Sequence, residues 1–296
     1  MTNKDKLPLD LKWSTRQRLR FIEVMAYYTG IVTRSDVARA FGISDPAATK
    51  DLKLYGELAP GNLIYTQAVF GFVPAPGFRP VFADLSPAAV LPLLAANLAG
   101  AGGPYGDQPL YGLTSERLPL PGRLPSAAVL AQITRAMRSR RKLAARYHSL
   151  TGNDTGALRI LEPHALVDTG LRWHVRAYSA DRYEFRDFVL SRFAWAECLD
   201  QAAESDPEHD EDWVETLTLR LAPHQGLDEP RRQALALDYG ARDGVIELTV
   251  RRALVGYLLQ RLMVDTSRDH SGNPRQYQLM LENREEVEPF AAWALG

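Results

Sequence analysis

Residues 171–193 read LRWHVRAYSADRYEFRDFVLSRF. On an extended chain neighbouring side chains point to opposite faces. In a first arm Leu171, Trp173, Val175 and Ala177 then share one side, and Arg172, His174, Arg176 and Tyr178 share the other. In a second arm Tyr183, Phe185, Val189 and Phe193 lie together, opposite Arg186, Phe188, Leu190 and Arg192. A hairpin through residues 179–182 would bring the two cationic sides together. One reading is a half-exposed antiparallel sheet with an arginine-rich outer face. The other is an anion pocket, with guanidinium forks for phosphates and Tyr and His rings for stacking on bases. Alternation alone leaves both open. Over residues 131–200 twelve basic residues stand against eight acidic ones, a surplus of +4 in a chain whose formal net charge is −1.

The 296 residues are 46% hydrophobic, enough to bury more than one core. At about 100–200 residues per domain, two or three domains are expected. With so small a net charge, any nucleic-acid binding must come from local patterning. A single cysteine, Cys198, excludes an intramolecular disulfide and a cysteine-built zinc cluster, and fits a reducing compartment. The N-terminus lacks the apolar core of a signal peptide, and the apolar run 88–99 is too short to span a bilayer. A soluble, cytoplasmic protein is expected.

Ahead of the opening stretch, Leu19, Ile22, Met25 and Ala26 recur at helical spacing from Trp13 to Tyr28, and Gly30 ends the pattern. Thr33 is placed to cap a short second helix with Val37, Ala38 and Phe41 inward, closed by Gly42. Ser44 is placed to cap a third, SDPAATKDLKLYGEL, with Pro46 in its first turn. LIYTQAVFGFVPAPG follows as a short β pair. Helix, glycine turn, helix and strand pair make the pattern of a winged helix–turn–helix. Thr49, Lys50 and Lys53 form the natural groove-facing set, with Ser44 at the capped end. Arg34 and Ser35 open the preceding helix, where backbone amides suit a phosphate. The alternative is a three-helix bundle with a solvated charged face. Over residues 1–60 ten basic residues against seven acidic leave only +3, so a dimer reading two half-sites is the expected means to useful affinity.

Downstream, residues 100–126 are rich in glycine and proline and read as a linker or strap. A helix from about Ser126 leads into KLAARYHSL and further strands to about Leu199. The run DQAAESDPEHDED holds seven acidic residues and reads as a solvated linker. Beyond it a strand, a helix, a strand and a helix suggest a small α/β or α+β terminal domain. In its last helix Leu254, Tyr257, Leu258, Arg261 and Leu262 recur at helical spacing, as the domain's own core or as a dimer face.

The segment carrying Arg146-Tyr147-His148-Ser149, Leu161-Glu162-Pro163-His164-Ala165-Leu166, Trp173-His174-Val175 and Arg186 to Phe193 resembles a WYL domain. Its name-giving tripeptide departs from Trp-Tyr-Leu at two positions, keeping a ring at one and an apolar side chain at the other. With a winged helix in front and a terminal extension behind, nearly the whole chain is similar to the BrxR/CapW group of repressors. The resemblance implies an α+β chain: a winged helix–turn–helix over 1–85, a linker over 86–125 and a WYL SH3- or Sm-like β-barrel over 126–200. An acidic linker over 201–212 and a dimerisation domain over 213–296 complete it. It further implies a homodimer that represses a phage-defence (BREX/CBASS-type) operon and leaves operator DNA when the WYL pocket binds a nucleic acid or nucleotide. The implied pocket is Tyr147, Ser149, His164, His174, Arg176, Arg186 and Arg192, with Trp173 and Phe193 assigned to packing.

Enzyme chemistry finds no support. The six histidines show no HExxH or HxH spacing, so no metal or other cofactor is expected. There is no Walker A loop, and GAGGPYG lacks the GxGxxG order. No GxSxG elbow occurs, and Cys198 has no cationic neighbour in sequence. The competing non-enzymatic reading is a single-stranded nucleic-acid or RNA module without operator specificity.

Overall fold

The computed structural model describes residues 11–96, 111–113, 118, 120–150 and 156–295. It divides into two units, Met1–Pro119 and Leu120–Gly296. Most of the glycine- and proline-rich tract of 100–126 lies outside the described residues. Among the described residues no helix is long and apolar enough to cross a membrane.

In the first unit α1 (Trp13–Thr29) buries Leu19, Ile22, Met25 and Ala26, and Gly30 ends it at a left-handed φ of +79°. α2 (Arg34–Phe41) begins with a capping box: the Thr33 hydroxyl accepts from the Asp36 amide, and the Asp36 carboxylate accepts from the Thr33 amide. Gly42, at φ +62°, turns the chain into α3 (Asp45–Leu58), which buries Ala48, Leu52 and Tyr55 against α1. Ser44 stands at the N-cap position but makes no side-chain capping bond, so its hydroxyl faces outward. β1 (Leu63–Thr66) and β2 (Gly71–Pro74) pair antiparallel as the wing, and Phe72 bridges back to Val32. Buried Glu23 on α1 accepts from the amides of Val81, Phe82 and Ala83 and from the Tyr55 hydroxyl, fixing the chain that leaves the wing. Residues expected as the start of a linker instead form α4 (Pro87–Ala96), because Val90, Leu93 and Leu94 have apolar surface to bury on the same core.

In the second unit α5 (Ala127–Ser139), capped by Ser126, buries Val129, Ile133 and Ala136. It packs on a five-stranded antiparallel sheet of β3 (Arg141–Tyr147), β4 (Leu158–Asp168), β5 (Trp173–Ser179), β6 (Glu184–Val189) and β7 (Phe193–Ala202). Their order is β6-β5-β4-β3-β7, so the outermost strands do not pair and the sheet is open, not the barrel the resemblance implied. A single 3-10 turn, Leu190–Arg192, carries the chain from one outer strand to the other, and α5 covers the core that closure would have sealed.

The acidic stretch folds into a 3-10 turn, Pro207–His209, and α6 (Glu211–Val214). Then follow β8 (Thr216–Pro223), α7 (Glu229–Asp238), β9 (Ile246–Arg251) and α8 (Val255–Arg261), the strand–helix–strand–helix order expected. β10 (Val264–Asp265), β11 (Leu279–Leu281) and α9 (Arg284–Ala291) complete it, in a sheet ordered β10-β11-β8-β9.

Candidate functional site

Two surfaces hold the residues singled out from sequence. The first is the outer face of α3, where Ser44, Thr49, Lys50 and Lys53 are all exposed. Its inner face is pinned by Asp51, whose carboxylate takes two bonds from the Arg18 guanidinium on α1, at 2.6 and 3.2 Å. Asp51 therefore adds no negative charge to the open side. Among the described residues Lys50 and Lys53 enter no ion pair. Thr49 Oγ1 donates to the Asp45 carbonyl at 2.9 Å, which fixes its rotamer. Arg34 and Ser35 are exposed at the start of α2, with Arg34 Nε 3.4 Å from the Asp45 carboxylate. Both partners are solvated, so that contact is weak and exchangeable for a phosphate.

The second surface differs from expectation. Arg176 pairs across the hairpin with Asp187, and Ala177 with Arg186. Even-numbered residues of the first arm thus share a face with odd-numbered residues of the second, and Arg176 and Arg186 lie on opposite faces. The four-residue loop at 180–183 sets that parity. Nor is the Arg176 face open. Arg176 is 5% exposed and grips Asp210 bidentately, Nε and Nη2 each 2.7 Å from a carboxylate oxygen, with Asp187 at 3.4 Å from Nη1. His164 Nε2 lies 3.0 Å from the same Asp210. Burial raises the Asp210 carboxyl, but bonds from Arg176 and His164 outweigh it and hold it at about 2. The presumed solvated linker is in part a lid: Asp210 is buried, and Asp206 and Glu204 hold Arg140 and Lys142.

The expected pocket set is therefore dispersed. Tyr147 belongs to the core, its hydroxyl accepting from the Val189 amide and its ring between Phe188 and Phe193. Phe193 is core as expected, whereas Trp173 is 39% exposed, at the end of β5 and not in the packing role assigned to it. Arg186 is exposed beside Glu184, and Ser149 is half-buried just past β3. His174 and Arg192 do come together, with residues that sequence reading passed over. His174 is 1% exposed, stacks 4.8 Å from Tyr257 of α8, and has no hydrogen bond at either ring nitrogen. Burial first, then the charges of Arg172, Arg192 and Arg123, push its pKa down to about 4. Arg172 is itself depressed by burial and by Arg123 and Arg192. Among the described residues none of these three arginines has a carboxylate partner. Arg172, Arg192 and Arg123 thus turn positive charge toward a buried imidazole with no hydrogen bond. Arg172 shared a side with His174 in the alternation and was available to sequence reading. Arg123 lay in a presumed linker, and Tyr257 some 80 residues away on another sheet's helix. That helix face is divided: Leu258 and Leu262 pack on the domain's own core, while Tyr257 donates to Asp187 at 3.2 Å and Arg261 to the Thr169 carbonyl at 3.3 Å.

Comparison with known proteins falls on the same divisions. Residues 14–96 match the BrxR transcriptional regulator winged helix-turn-helix domain, 128–198 the WYL domain, and 216–287 the BrxR transcriptional regulator C-terminal dimerization domain. The chain is 36% identical over 284 residues to the DNA-binding transcriptional repressor CapW of Stenotrophomonas maltophilia, covering 95% of this chain and 93% of that one. It is 33% identical to proteins of the same description from Pseudomonas aeruginosa and from Escherichia coli strain KTE188, covering 93% of this chain and 91% of each.

Proposed function

The chain belongs to the BrxR/CapW family of transcriptional regulators, and on that premise we propose that it is a homodimeric repressor released from operator DNA by a phosphate-bearing ligand. The release step rests on His174, buried with both ring nitrogens unbonded, in ring contact with Tyr257 of the C-terminal domain and in the field of Arg172, Arg192 and Arg123. A nucleotide or nucleic-acid phosphate carries the charge opposite to that of these arginines. Tyr257 extends the consequence, since it touches the His174 ring on one side and Asp187 on the other from a helix of the C-terminal domain.

For the operator, Thr49, Lys50, Lys53 and Ser44 are the proposed groove contacts and Arg34 and Ser35 the proposed phosphate contacts. The exposed, unpaired lysines of α3 support this assignment. The C-terminal domain is proposed to join two copies so that two α3 helices meet two half-sites, and a phage-defence operon is the proposed target.

The test is a gel shift of the duplex upstream of the protein's own gene, at two salt concentrations. Specific, cooperative shifting of an inverted repeat is expected, and a short single-stranded DNA should reverse it for the wild type but not for Arg172→Ala with Arg192→Ala. Tight single-strand binding without a specific duplex shift would overturn the repressor reading.

A further inference from the structure

We propose that the wing is an apolar wedge that enters a base step of duplex DNA, with Phe70 as the inserted side chain; the proposal rests on the repressor reading above. Residues 58–78, which span the whole wing, contain no Asp, Glu, Lys or Arg. It therefore has no side chain that could form a salt bridge to a phosphate. This one instead exposes apolar surface: Phe70 is 76% exposed, Tyr65 55%, Ile64 49% and Val69 45%.

The backbone of Phe70 adds a second observation. It sits at the hairpin tip with φ +48°, in the left-handed region that favours glycine or asparagine and penalises a bulky side chain. A phenylalanine that is both strained and solvated does nothing for the fold of the free protein. Strain of this kind persists where the residue serves a function. The tip also does not fold back, because Tyr65 and Phe72 stack edge-on at 5.4 Å across the hairpin and Phe72 is bonded to Val32.

Placement decides the partner. The backbone of Gly71 lies against Ile31 and Thr33, so closely that an added Cβ would stand 3.0 Å from Thr33 Cγ2. Thr33 caps α2, and the next two residues are Arg34 and Ser35, the proposed phosphate contacts. Phe70 is therefore held beside the point where the DNA backbone is expected to meet the domain. An uncharged tip there meets no repulsion from phosphates and reaches into the adjoining groove. Apolar side chains inserted at a step unstack it and kink the duplex by about 20–90°.

The experiment uses the full-length protein, the duplex upstream of its own gene, and end-labelled duplexes that report bending by fluorescence transfer. Phe70→Gly suits the left-handed turn while removing the ring, and Phe70→Leu keeps an apolar wedge. Wild type and F70L should bend the duplex. F70G should lose the bend and about tenfold in affinity, with an unchanged salt slope because no phosphate contact is lost, and with unchanged sedimentation. F70G that binds and bends like wild type overturns the wedge alone. A change in sedimentation with no change in bend would assign the tip to a second copy of the chain, and also overturns it. A wild-type protein that binds no duplex overturns the repressor reading and the wedge with it.

Discussion

Helix α3 and strand β5 carry similar signals in sequence, a periodic apolar side backed by cations. The structure treats them oppositely. On α3 the one carboxylate of the inner face, Asp51, is consumed by Arg18, and Lys50 and Lys53 remain open. On β5 the cationic side is roofed by α6, the turn before it and α8, so that Arg176 is neutralised from above by Asp210 and from the neighbouring strand by Asp187. Periodicity states which residues share a side. Whether that side meets water depends on segments far along the chain.

The contrast is broken or sharpened most strongly at Asp210. Its loss leaves Arg176 buried with one poor partner, and breaking a buried pair from one side costs about 3–5 kcal/mol. At about 2–4 °C per kcal/mol, Asp210→Ala should therefore lower the thermal midpoint of the second unit by roughly 6–20 °C. An unchanged midpoint would mean that the β5 face is open after all. Lys50→Ala with Lys53→Ala should do the reverse: no change in midpoint, and a loss of roughly ten- to a hundredfold in duplex affinity as the groove contacts go. Unaltered affinity would show that α3 is merely a solvated face.

A smaller effect reads the closed side through pH. His174 has its pKa depressed to about 4 when folded, below the about 6.5 of a free imidazole. Between those values the unfolded chain binds more protons, so the His174 contribution is fully present above about pH 6.5 and is lost as pH falls toward 4. Denaturant unfolding at pH 7 and pH 5 should differ by on the order of 1–2 kcal/mol more for the wild type than for His174→Phe. Equal differences in the two proteins would place His174 in water.

Much of the fold was legible because its signals are local. Thr33 with Asp36, Gly30 and Gly42 bound the first helices within a few residues of themselves, and the β8-α7-β9-α8 order follows from alternating periods. Ser44, Thr49, Lys50 and Lys53 are exposed, as helical spacing on α3 predicts. The surroundings of His174 were only half legible: His174 and Arg192 could be read from one hairpin, but Arg123 and Tyr257 come near them by tertiary packing alone. The acidic run misled through composition. Seven carboxylates suggest solvent, yet one of them, Asp210, supplies the counter-charge that Arg176 needs in order to be buried. Hairpin parity misled too, since a four-residue loop pairs even positions of one arm with odd positions of the other and so puts the two arginine-bearing sides on opposite faces.

Arg186 gives the finest test of that parity. Were it on the Arg176 face it would lie under the roof beside Asp187 and Asp210, and its removal would strip a buried partner from two carboxylates. Placed opposite Ala177 it stands exposed at an end of the sheet, with only the solvated Glu184 at 3.3 Å. Exposed pairs of this kind contribute about 0–1 kcal/mol, so Arg186→Ala should shift unfolding stability by no more than about 0.5 kcal/mol. It should also leave ligand-induced release of operator DNA intact, because Arg172 and Arg192, not Arg186, surround His174. Arg176→Ala, one residue out of phase with Arg186, should instead approach the cost of Asp210→Ala, since it leaves two carboxylates buried without their cation. Substitutions at both arginines with equal effects on stability or on release would show that the two side chains share a face.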